Sequence, residues 1–190
     1  MPAGLEALRA ATRGLHAAVE STAVMQGMLC SPLSATTYGQ YLVALAASIA
    51  PLAARLQQTE ARPALASTEA WACLAQDLGA LAVAWPAVVE TPPEPAHPDA
   101  IWGRIYVVRG AEAGLSIVAR QLDRLGGAAN LPRRFLDAVL AQRCDWPRIC
   151  RVLDQLEGPA QRAAVELAVA DFRFALAALS ACAPAPEVSA

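Results

Sequence analysis

Apolar positions Leu5, Leu8, Leu15 and Val19 recur at three- to four-residue steps and predict a helix over 4–20. After a break at Ser21 and Thr22, a short apolar piece, 24–30, runs into Ser31-Pro32. The chain must turn there, because the residue before a proline avoids the α region. Ser34 is the natural N-cap for a long second helix reaching Gln57 or Gln58, with Pro51 expected to kink it. A third helix is predicted from Thr68, as cap, through Trp71, Leu74, Leu78 and Leu81 to about Ala84. Residues 86–98 hold five prolines in thirteen positions and predict an extended linker. His97 belongs to it and reads as a solvated loop histidine.

Beyond the linker, Ile101, Ile105, Val108, Leu115, Val118 and Leu122 restore a helical period over 99–122, which Asp99 can cap. Gly103, Gly110 and Gly114 sit inside it. Each costs a helix interior about 1 kcal/mol relative to alanine, so the trio needs a reason. Gly110 and Gly114, one turn apart, offer a bare backbone face to something flat and large. The same small-xxx-small spacing also lets two helices pack closely. Gly126-Gly127 opens a clear break, after which helices are expected over 132–142, over 145–156 with Pro147 in its first turn, and over 159–182, ahead of a frayed tail, 184–190.

Composition agrees with helices: 56 % of residues are hydrophobic, Ala and Leu dominate, and aromatics are only 5 %. At 190 residues the chain fits one all-α domain over 1–183. A net charge of −2 and a pI near 5.7 give no general attraction to nucleic acid. No charge occurs between Glu20 and Arg55, and 38–54 approaches the length of a membrane span. That stretch is nevertheless rich in Ala and contains Gln40, Ser48 and Pro51, so a buried bundle helix is expected and no membrane. Cys30, Cys73, Cys144, Cys150 and Cys182 are scattered and odd in number, which suits reduced thiols. With charged Glu6, Arg9 and Arg13 interrupting any secretory pattern, a cytoplasmic location is expected.

The first helix carries the candidate chemistry. His16 is one of only two histidines, beside the apolar stripe and expected to face inward. Glu20 follows one turn later, within reach of the imidazole, and Arg9 and Arg13 precede it along the same side. An imidazole at depth with guanidinium groups toward the rim suits an iron porphyrin bearing two carboxylates. A lone histidine on an apolar face is also what an ordinary core residue looks like.

Taken together, the two glycine- and histidine-bearing segments resemble heme oxygenase, in its bacterial, biliverdin-forming branch. Residues 8–20 resemble the family's first helix, Leu-Arg/Lys-x-x-Thr-x-x-x-His-x-x-x-Glu, and Tyr106-Val-Val-Arg-Gly110-Ala-Glu-Ala-Gly114 resembles its distal helix, Tyr-Val-Leu-Glu-Gly-Ser-x-Leu-Gly-Gly. A weaker likeness continues through Trp146-Pro147 and the last helix. The resemblance implies a single-domain heme oxygenase-like helical bundle. It further implies His16 as iron ligand, Glu20 as its orienting partner, Arg9 and Arg13 near the propionates, and Gly110 and Gly114 over the distal face. Tyr106 and Phe172 would belong to the pocket. The implied reaction is oxidative cleavage of heme, at once substrate and cofactor, to biliverdin, carbon monoxide and ferrous iron. Electrons would come from a ferredoxin or reductase, and a bacterial phytochrome is a possible recipient of the product.

Three positions depart from the family pattern. Leu115 replaces the second glycine of the closing pair, Arg109 replaces a glutamate, and Ala111 replaces a small polar residue. Glu112 lies about 100° around the helix from Ala111 and is badly placed to substitute. These departures favour an alternative, a heme-binding or heme-sensing protein without turnover. A thiaminase-like helical enzyme would need a cysteine nucleophile with an acidic helper, and no cysteine has a recognisable one in sequence. An Ala-rich helical interaction module completes the alternatives.

Overall fold

A computed structural model of the chain describes residues 3–28, 33–59, 69–87, 91–124, 131–141 and 146–182. Among these, all regular structure is helical: α1 (Gly4–Glu20), α2 (Ala23–Gly27), α3 (Ala35–Gln57), α4 (Glu69–Ala80), a 3-10 turn (Pro98–Ala100), α5 (Ile101–Arg124), α6 (Arg134–Ala141), α7 (Trp146–Asp154) and α8 (Gly158–Ala181). The expected Ser31-Pro32 turn, Thr68 cap, glycine break at 126–130, helix start at Asp145 and tail at 184–190 lie outside the described residues, as do Cys30 and Cys144.

Helix α1 buries Leu5, Leu8 and Thr12 on one face. It stops where Ser21 and Thr22 turn their hydroxyls back onto the carbonyls of Ala17 and Val19, taking acceptors that a further turn would need. Ser34 caps α3 as expected, accepting from the Thr37 N–H at 3.0 Å. This helix is buried nearly all round and runs without a break through Pro51. By length and composition it is the one described helix able to cross a membrane, yet 67 % of its apolar window is buried against the rest of the bundle.

Helix α4 ends earlier than its apolar period predicts. Ala82 adopts φ 54°, and the Val83 N–H returns to the Leu78 carbonyl at 2.9 Å, closing the helix with a left-handed residue. The segment after the linker is likewise started differently from the expected Asp99 cap: His97, half-exposed as foreseen, accepts the Asp99 N–H at Nδ1 and caps the 3-10 turn that leads into α5.

Helices α1, α3 and α5 all pack on α8, and α4 packs on α6. The α5–α8 crossing is close because of Gly103, where a Cβ would lie 2.0 Å from the Ala164 carbonyl oxygen. The next residue, the fully buried Arg104, spans to Asp171 of α8 at 2.8 and 2.9 Å, while also donating to the Pro93 carbonyl. The extended linker is thereby tied down onto the same crossing. Asp77 of α4 caps α6, accepting from the backbone N–H groups of Arg134 at 3.3 Å and Phe135 at 2.9 Å. One contiguous buried cluster draws residues from every helix.

Candidate functional site

Among the described residues a cavity of about 630 Å³ opens between α1, α2, α3, α5, α7 and α8. That size falls within the range of about 300–1,000 Å³ common for small-molecule and cofactor sites. His16 and Phe172 stand on one side, and the glycine stretch of α5 forms another. The ring of His16 meets that of Phe172 edge-on, with centroids 5.9 Å apart. Its Nδ1 lies 3.5 Å from a Glu20 carboxylate oxygen, so the expected i,i+4 approach is present. This leaves Nε2 as the nitrogen suited to a ligand.

The structure corrects the expected depth of His16. Its side chain is 57 % exposed, because the core-facing stripe of α1 runs through Leu8 and Thr12 and position 16 lies on the flank of that stripe, where the cavity opens. Arg13 is corrected as well: it is exposed and off the cavity wall. At 100° per residue, Arg9 sits about 20° from the azimuth of His16, whereas Arg13 sits about 60° away, on the side opposite the buried stripe. Arg9 is the one cation on the cavity wall among the described residues.

The three α5 glycines divide into two kinds. Gly103 is used in helix packing, as described above. Gly114 has nothing within 4 Å of where a Cβ would stand, and a Cβ on Gly110 would meet only Trp146, at an ordinary 3.7 Å. Both line the cavity. Gly114 thus presents bare helix to open space, while Gly110 leaves room for the Trp146 ring of α7.

The other α5 positions facing the cavity are Tyr106, Val107, Ala111, Ala113, Ile117 and Val118, so Tyr106 supplies the one polar side chain of this wall. Glu112 is buried off the cavity in an ion pair with Arg109, and burial pushes its carboxyl above the usual range. Leu115 is buried in the core. Tyr106 stacks loosely on Trp146 of α7, with centroids 6.1 Å apart, and the two close one end of the cavity.

Sequence reasoning missed the α2 and α3 contributions: Met25, Met28, Tyr41 and Ser48 also line the cavity. Tyr41 is buried, and desolvation raises its phenol above the ordinary value, so it stays protonated. Ser48 donates to the Ala44 carbonyl at 2.6 Å. Nothing in an Ala-rich apolar helix marks these positions in advance. Cys73, Cys150 and Cys182 are free thiols away from this cavity. Among the described residues no three metal-ligating side chains cluster, leaving His16 as the cavity's lone imidazole. The chain matches no protein-family model, no curated protein and no solved structure.

Proposed function

We propose that the cavity is a heme site, that the bundle is heme oxygenase-like, and that the chain is a heme oxygenase of the biliverdin-forming kind. The observation that carries this reading is that one mostly apolar cavity is lined both by His16 and by a helix wall left bare at Gly110 and Gly114. The residues present fit the group. A neutral imidazole ligates iron, a guanidinium pairs with a carboxylate, and bare helix accepts a flat macrocycle without a side chain in the way. Bound heme supplies both the iron at which dioxygen is reduced and the ring that is cleaved to biliverdin, carbon monoxide and ferrous iron, with electrons from an external ferredoxin or reductase.

The chain's own contribution is binding and orientation. His16 would offer Nε2, with the Glu20 carboxylate 3.5 Å from Nδ1 placed to orient the ring. Phe172 limits rotation of the imidazole from the side. Arg9, on the cavity wall, would hold a carboxylate of the group, and Arg13 does not line the cavity. Gly110 and Gly114 would leave the α5 wall bare for the macrocycle.

A second reading, heme binding without turnover, is favoured by one observation: Ala111 faces the cavity where a polar residue would organise water, and Glu112 points elsewhere into its pair with Arg109. Adding ascorbate or a ferredoxin system in air to the hemin complex separates the two. Enzymatic turnover is expected to replace the Soret band with biliverdin absorption. A complex that persists under reductant and oxygen selects the second reading.

A further inference from the structure

Thr12 sits one helical turn before His16, is 1 % exposed, and touches the glycine helix through a single polar contact, Thr12 Oγ1 to Tyr106 Oη at 3.3 Å. The direction of that bond follows from the other one Thr12 makes. Its hydroxyl has one proton, and the 2.7 Å contact to the Leu8 carbonyl uses it, since a carbonyl can only accept. Tyr106 therefore donates and Thr12 accepts. A Tyr106 proton directed at Thr12 points away from a ligand in the cavity.

The geometry points to Thr12 and Tyr106 as a positioning pair that sets the spacing of α1 and α5, two helices that line the proposed heme site, and that directs the Tyr106 proton away from it. This inference rests on the heme reading above. Tyr106 is well placed for it: its ring lines the cavity and leans on Trp146, whose ring in turn lies 3.7 Å from where a Gly110 Cβ would stand. Loss of the bond frees α5 to shift relative to α1 and frees the phenol to donate inward. A purely structural contact would do the first without the second.

The test is a hemin absorption titration of wild type, Thr12→Val, Thr12→Ser, Tyr106→Phe and the Thr12→Val/Tyr106→Phe double variant. Valine is nearly isosteric with threonine but cannot accept. Thr12→Val is expected to weaken hemin binding about 2- to 10-fold, as for loss of one neutral hydrogen bond, and to shift the Soret maximum as the freed phenol turns inward. Thr12→Ser restores both. Tyr106→Phe weakens binding by a similar factor without that Soret shift, and the double variant is no weaker than either single one. Additive losses, or a Thr12→Val complex with the wild-type spectrum and affinity, would overturn the pair's role while leaving the heme reading intact. Failure of the wild type itself to bind hemin saturably would overturn both.

Discussion

Adding one methyl group at Gly114 is predicted to stabilise the protein and impair its site. An Ala Cβ there meets nothing within 4 Å, so the substitution relieves the cost of a glycine in a helix interior, about 1 kcal/mol, without any clash. For a chain of this size the expected rise in Tm is about 2–4 °C. The same methyl group protrudes into the cavity that His16 also lines. Each tenfold loss of hemin affinity removes about 1.4 kcal/mol from the stabilisation that hemin confers. Gly103→Ala supplies the contrast, because its Cβ would lie 2.0 Å from the Ala164 carbonyl oxygen and 2.9 Å from the Ala168 nitrogen, backbone atoms that cannot swing aside. Its cost lies at or above the upper end of the usual overpacking penalty, about 3 kcal/mol, with a fall in Tm of about 6–12 °C. Thermal unfolding followed by circular dichroism, with and without hemin, reads all four quantities. A Gly114→Ala protein that melts below wild type, or that melts higher and keeps the full hemin-induced shift, would refute the assignment of this glycine to the cavity.

Two further outcomes follow from the packing. Asp77→Ala strips two charge-assisted bonds from the first turn of α6 and is expected to cost about 2–3 kcal/mol, seen as a Tm about 5–10 °C lower, while hemin binding stays as in wild type because Asp77 is remote from the cavity. Burial also holds the Asp171 and Glu112 carboxyls above their ordinary values despite their arginine partners. Each therefore binds its proton more tightly folded than unfolded, so its contribution to stability is fully present below the unfolded carboxylate range and is lost as pH rises through the raised folded value. In a pH series of urea melts, Glu112→Gln should flatten this decline, and an unchanged slope would count against the shift.

Much of the helical framework is readable from periodicity and caps. The limits of α1, the Ser34 cap and the extent of α8 all follow from local chemistry that the sequence displays directly. What is not readable depends on partners distant in the chain. Gly103 and Gly114 have the same helix propensity, and only the presence of α8 behind one and open space before the other separates them. The α6 cap comes from Asp77, 57 and 58 residues upstream, beyond any local signal. The apolar stripe beside His16 predicts depth, yet about 40° of rotation around α1 from the buried Thr12 puts it on the flank. The same angle of about 40° separates Arg9 from Arg13. Tyr41 reaches the cavity from a helix whose sequence reads simply as core.

The account stands most directly on His16. Hemin titration of the wild type beside His16→Ala, with thermal melts to verify that both apo proteins fold equally, isolates the imidazole from the rest of the cavity. Because His16 is half-exposed and touches the core only through its edge-on contact with Phe172, the apo melts should agree within about 2 °C. The wild type should then give a saturable complex with the sharp Soret band of histidine-ligated heme, and His16→Ala should lose that band and bind at least about tenfold more weakly. Identical spectra and affinities in the two proteins would contradict the account and return His16 to the role of an ordinary surface residue on the cavity's edge.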